Sequence, residues 1–179
     1  ELVPTSELNR VQSLCRLLSA FLTSANGLPI SAEPSPAPLK EDQELERLVG
    51  QWFLFSLVWS LCAGVNEQGR KLVDNYLREL EGQFPSRDTV YEYFVDVKAG
   101  GWAHWDTKLR SSWRFAADTP FHRIQVPTVD TVRYQYLLRT LIDAKQPTLM
   151  VGPVGTGKTS VVEMVMQQLD ASVFNFLTI

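Results

Sequence analysis

Gly152-Pro153-Val154-Gly155-Thr156-Gly157-Lys158-Thr159 fits the spacing G-x-x-x-x-G-K-[ST], and no other stretch of this 179-residue chain limits its fold as sharply. The spacing carries meaning only between a buried strand and a helix. Thr148 to Val151 is a short apolar run after Pro147, and Val161, Val162, Met164, Val165 and Leu169 recur at helical spacing behind the loop. Glycines at 152, 155 and 157 let the backbone turn and present its N–H groups with no Cβ in the way. A helix opening near Lys158 aims its positive dipole end at the same place. The pattern predicts that Gly152, Pro153, Val154, Gly155, Thr156, Gly157, Lys158, Thr159 and Ser160 hold the phosphates of ATP or ADP. In that arrangement Lys158 reaches the β and γ phosphates, the N–H groups of Val154 to Thr159 cradle the β-phosphate, and the Thr159 hydroxyl ligates Mg2+. The competing reading is a glycine-rich strand-to-helix turn that binds nothing.

Composition sets the frame for this motif. A chain that is 45% hydrophobic and 21% charged can bury a sizeable core without staples. Its net charge of −3 argues against a nucleic-acid surface, which needs clustered Lys and Arg. Cys15 and Cys62 fall inside apolar helical patterns and read as reduced, buried thiols of a cytosolic compartment, and metal-ligand spacing is lacking. Glu1-Leu2-Val3-Pro4 shows neither a basic n-region nor an apolar h-region. Phe174 to Ile179 is an apolar β-type run without a cap, and a doubly wound domain needs more βα units than follow Val126. The expectation is a fragment of a longer protein.

Taken in order, Ser6 caps a helix to about Thr23, with Leu8, Val11, Cys15, Leu18 and Leu22 on one face and Leu14, Leu17 and Phe21 widening it. Residues 24–38 hold Asn26-Gly27 and four prolines and read as a flexible loop. Leu48 to Val65 is a run of 18 uncharged residues, at the lower edge of a membrane span. Gln51, Ser56, Ser60 and Gly64 interrupt it, so Lys40 to Val65 is expected as one buried core helix, with Trp52 and Trp59 on a shared face. Arg70 to Gly82 is an amphipathic helix with Leu72, Val73, Tyr76, Leu77 and Leu80 in its stripe. Val90 to Val97 suggests one strand of a pair closing near Gly100-Gly101. Aromatic residues interleaved with bases between Val97 and Arg114 admit single-stranded nucleic acid, but Asp96, Asp106 and Asp118 offset the charge and packing of a small aromatic subdomain is the plainer account. His104 and His122 stand alone and are assigned no catalysis. Asp130 or Thr131 caps a last helix through about Ala144, with Tyr134, Leu137, Leu138 and Leu141 facing inward.

The order of extended segment, helix, strand, phosphate loop, helix, strand resembles AAA+ modules, in which the leading segment borders the adenine, here Val126, Pro127 and Thr128. Ile124 to Tyr134, Val151 to Ser160 and the upstream block Trp52 to Ser60 together resemble the motor region of axonemal dynein heavy chains, at the junction of the second and third AAA+ modules. That resemblance implies an incomplete α/β P-loop AAA+ module preceded by a mainly helical small subdomain with a short aromatic-rich β extension. Residues 1–118 would be the small subdomain and extension of one module and 119–179 the start of the next. It further implies a regulatory nucleotide site in a minus-end-directed microtubule motor of the ciliary axoneme, part of the cytoplasmic cytoskeleton. The implied partners are the other AAA+ modules, the microtubule through a distant part of the chain, and dynein intermediate and light chains, with no nucleic acid and no membrane. No catalytic residue is expected in this fragment, which by itself should not hydrolyse ATP, since the acidic pair, sensors and arginine finger lie elsewhere. A non-hydrolysing structural nucleotide module is the alternative. A small soluble P-loop kinase fits poorly, because about 150 residues precede the loop.

Overall fold

The computed structural model describes residues 4–28, 39–80, 82, 84–109, 113–114, 117–121 and 124–177, with the backbone alone at 39–42. It divides into two compact units at His104 and Trp105.

The first unit is built on two helices. α1 (Glu7–Phe21) starts where the Ser6 hydroxyl accepts the Asn9 N–H at 3.2 Å. α2 (Leu39–Ser60) packs along it, and Phe21 stacks on Trp52 at 4.5 Å while Phe55 meets both rings edge-on. Trp52 and Trp59 are both buried, as their spacing on one face predicts. The helix is shorter than its sequence pattern, because residues 61–65 turn away after Ser60. It is also one-sided, with Val49 and Phe53 exposed. Among the described residues no helix is long and apolar enough to cross a membrane. The buried side of α1 differs from the expected one. Leu17, Ala20 and Phe21 are inside, whereas Leu8, Val11 and Cys15 are exposed. Both faces are apolar, and the stack with Trp52 decides which is covered.

Most of the loop predicted at 24–38 lies outside the described residues, but 24–28 form an ordered turn in which Asn26 Nδ2 donates to the Phe21 carbonyl at 2.8 Å. Gly27 sits at φ 82°, and a Cβ there would come within 2.8 Å of the Val97 side chain, so both conformation and space demand glycine.

α3 (Glu67–Leu80) begins earlier than the stripe suggested, because the Asn66 side chain accepts the Gly69 N–H at 2.9 Å. Leu77 is buried, whereas Leu72, Tyr76 and Leu80 are exposed. Arg78 pairs with Asp74 at 3.0 Å and donates to the carbonyls of Pro85 and Asp88, fastening the following turn to α3. The chain then forms an antiparallel hairpin, β1 (Tyr93–Asp96) with β2 (Gly101–His104), in which Phe94 faces Ala103 and Val95 faces Trp102. Phe84 stacks on Trp102 at 4.5 Å and His104 lies 3.3 Å from Asp88, so the aromatic-rich stretch packs as a small subdomain.

The second unit carries the motif. α4 (Asp106–Leu109) is a single turn, and Trp105 just before it meets Tyr136 edge to face at 5.5 Å. α5 (Val129–Asp143) is capped by Thr128, two or three residues ahead of the expected Asp130 or Thr131; Thr131 instead closes a reciprocal capping box with it. α6 (Lys158–Gln168) packs on α5 around Leu138, Val161, Val165 and Leu169, with Tyr134, Ile142, Met150 and Phe174 at the edges of this core. Residues 148–151 and 174–177 are irregular and, among the described residues, belong to no sheet, contrary to the strand expectation. A strand exists by pairing, and among the described residues neither segment has a ladder partner.

Candidate nucleotide site

The loop between residues 148–151 and α6 turns on two left-handed glycines, Gly155 at φ 82° and Gly157 at φ 78°. Residues with a Cβ rarely adopt this conformation. At both positions the space a Cβ would occupy holds nothing within 4 Å, so conformation rather than crowding calls for glycine there.

Lys158, the first residue of α6, folds back over the loop. Its Nζ donates to the Gly152 carbonyl at 2.9 Å and to the Pro153 carbonyl at 2.6 Å, and lies 3.4 Å from Thr156 Oγ1. The Thr156 hydroxyl donates to the Pro153 carbonyl at 2.9 Å. Val161 N–H donates to the Gly157 carbonyl at 3.0 Å, so the N–H groups of Lys158, Thr159 and Ser160 stand ahead of the helical ladder. Thr159 is exposed in the first turn of α6. One ammonium, a set of unladdered amides and a helix dipole at one turn make a donor set suited to an oxyanion.

The leading segment runs beside the other end of α6. Pro127 lines a cleft of about 280 Å3 with Ile124, Gln125, Gln135, Met164 and Gln167. Gln125 Nε2 reaches Glu163 Oε2 at 3.4 Å. Met164 is six residues beyond Lys158, about 9 Å along the helix. Val126 is 60% exposed, and the Thr128 hydroxyl is engaged in capping α5. Of the three residues expected on the adenine side, Pro127 alone lines the cleft. Ile124, Gln125 and Met164 were not anticipated there; their only signal is the helical period that sets Met164 and Gln167 on one side of α6. Among the described residues no three His, Cys, Asp or Glu side chains gather as a metal site.

A helical subdomain with an aromatic hairpin, leading into an incomplete P-loop AAA+ module, is the class that fold and loop define. Residues 1–107 match the dynein heavy chain AAA lid domain, and residues 113–179 match the P-loop containing dynein motor region. Over its whole length the chain is 48% identical to "Dynein axonemal heavy chain 2" of Homo sapiens. It is 38% identical to "Dynein-1-beta heavy chain, flagellar inner arm I1 complex" of Chlamydomonas reinhardtii, again with all of the chain aligned. In both cases it spans 4% of the relative's length. The chain belongs to the dynein heavy chain family.

Proposed function

We propose that this chain is part of an ATP-driven, minus-end-directed microtubule motor of the cilium, and that Gly152 to Ser160 form the phosphate-binding half of a regulatory nucleotide site. The observation that carries this reading is the Lys158 ammonium held over the loop, 2.6 and 2.9 Å from two of its carbonyls, at the N-terminus of α6. The axonemal and flagellar names of the relatives support the setting in the axoneme. We place the site at the head of the third AAA+ module, in 119–179, with the lid and extension of the second in 1–118 ahead of it; the first family match ends at 107 and the second begins at 113. The partners that follow are the neighbouring AAA+ modules, intermediate and light chains, and the microtubule through a distant segment.

The nucleotide supplies the energy of its phosphoanhydride and, with Mg2+, the charge that the site reads. Lys158 neutralises phosphate charge, while the amides of Val154 to Thr159 and the N-terminus of α6 orient the anion. The Thr159 hydroxyl offers one ligand to Mg2+. Pro127, with Val126 and Thr128 beside it, borders the base. Hydrolysis requires a water-activating group from another part of the heavy chain, so this stretch binds and positions.

Lys158→Ala in the full-length heavy chain tests the reading. Removing charge-assisted hydrogen bonds of about 1.5–3 kcal/mol should weaken nucleotide at this site about ten- to a hundredfold. Nucleotide retained per heavy chain should fall, and microtubule gliding should slow. Unchanged retention with unchanged gliding would sink the proposal. Lower retention and lower thermal stability with normal gliding would instead favour a structural brace that never turns over.

A further inference from the structure

Thr156 occupies one of the unspecified positions of the motif, yet after Lys158 its side chain is the best-connected in the loop. We propose that Thr156 is the positioning residue of this site, its hydroxyl tying the two limbs of the phosphate loop together and aligning the Lys158 ammonium. The inference rests on the nucleotide reading above and adds a side-chain role to it.

The geometry is a closed triangle. Thr156 Oγ1 donates its single hydrogen to the Pro153 carbonyl at 2.9 Å. The same carbonyl accepts from Lys158 Nζ at 2.6 Å, and Nζ stands 3.4 Å from Thr156 Oγ1. An ammonium has three hydrogens. Two point at Gly152 O and Pro153 O, and the third faces Thr156 Oγ1 at a distance too long for a strong bond. That third hydrogen is free to move to an anion at the loop. The bond from Thr156 to Pro153 need not break when it does.

Gly152 completes the arrangement. A Cβ there would lie 3.4 Å from Thr156 Oγ1 and 3.8 Å from Lys158 Cδ, so the bare backbone leaves room for the hydroxyl to lean across. The side chain thus joins residues from the start, middle and end of the loop. A loop already closed pays less ordering entropy when the anion arrives. Of the two contacts Thr156 makes, the 2.9 Å bond dominates the 3.4 Å one, so losing the hydroxyl weakens binding more than it releases the lysine.

The test uses full-length heavy chain titrated with Mg·ADP and Mg·ATP, the component missing from Lys158→Ala being assigned to this site. Thr156→Val keeps the shape and removes the hydroxyl. It should weaken that component about three- to tenfold, and Thr156→Ser should restore it. Thr156 is exposed, so thermal unfolding should stay at the wild-type temperature in both variants. Wild-type affinity in Thr156→Val, or failure of Thr156→Ser to restore it, overturns the positioning role while leaving the nucleotide site intact. If Lys158→Ala binds as wild type does, the site itself falls and this role with it.

Discussion

Cys62 shows how one side chain's chemistry follows from its surroundings. It lies just past the end of α2, its carbonyl accepting the Tyr91 hydroxyl at 2.8 Å, and burial pushes its thiol pKa above the ordinary 9.0. The thiolate is the reactive form, so a raised pKa lowers reactivity at any pH below it. Tyr91 is raised in turn, first by burial and then by the neighbouring Cys62, and Arg70 over its ring at 4.8 Å pulls the other way. Cys15, by contrast, is exposed on α1. A thiol reagent at about pH 8 should modify Cys15 at least about tenfold faster than Cys62, with urea abolishing the difference. Equal rates in the native chain would contradict this burial. Sequence periodicity had set both thiols inside, because Leu8, Val11 and Cys15 repeat as regularly as Leu14, Leu17 and Phe21. Period alone does not choose between two apolar faces of one helix. The choice is made by Trp52, which arrives from another helix and covers Phe21.

Elements were legible to the extent that their cause is local. α2, α5 and α6 follow from helical spacing, and the hairpin from its aromatic run and Gly100-Gly101. Boundaries moved where a side chain took over, as with Asn66 ahead of α3 and Thr128 ahead of α5. The capping box of α5 has a measurable consequence. Thr128 Oγ1 accepts the Thr131 N–H at 3.2 Å while Thr131 Oγ1 accepts the Thr128 N–H at 2.7 Å, satisfying two amides that the helix itself cannot. Thr128→Ala should cost about 1 kcal/mol, seen as roughly fivefold faster amide exchange in the first turn of α5, with Thr128→Ser close to wild type. Unchanged protection would mean that packing alone holds the turn. The motif spacing likewise located the loop and Lys158, but an unspecified position such as Thr156 carries no signal until the fold brings Pro153 within 2.9 Å of its hydroxyl.

At the scale of the whole molecule, the apolar segments flanking the loop were recognisable as strand-forming but not as paired, because a ladder is a non-local property. Leu149 is 87% exposed and Leu177 83%, with Val151 and Val173 also in solvent. Their backbone groups have no sheet partner among the described residues. Exposed, apolar segments of this kind favour association with other chains. A span of 4% of its relatives' length leaves ample chain elsewhere in a heavy chain to pair with them. The 179-residue chain expressed alone should therefore bind a hydrophobic dye such as ANS and associate as its concentration rises. Leu149→Lys combined with Leu177→Lys should reduce both signals without unfolding α5 or α6, since neither residue contributes to the core around Leu138 and Val165. Light scattering and dye fluorescence on the same samples separate the cases. A monodisperse monomer that binds no dye would show that these segments find partners within the chain. A double variant that associates as strongly as wild type would shift the cause to another exposed apolar stripe, such as Leu72, Tyr76 and Leu80 on α3.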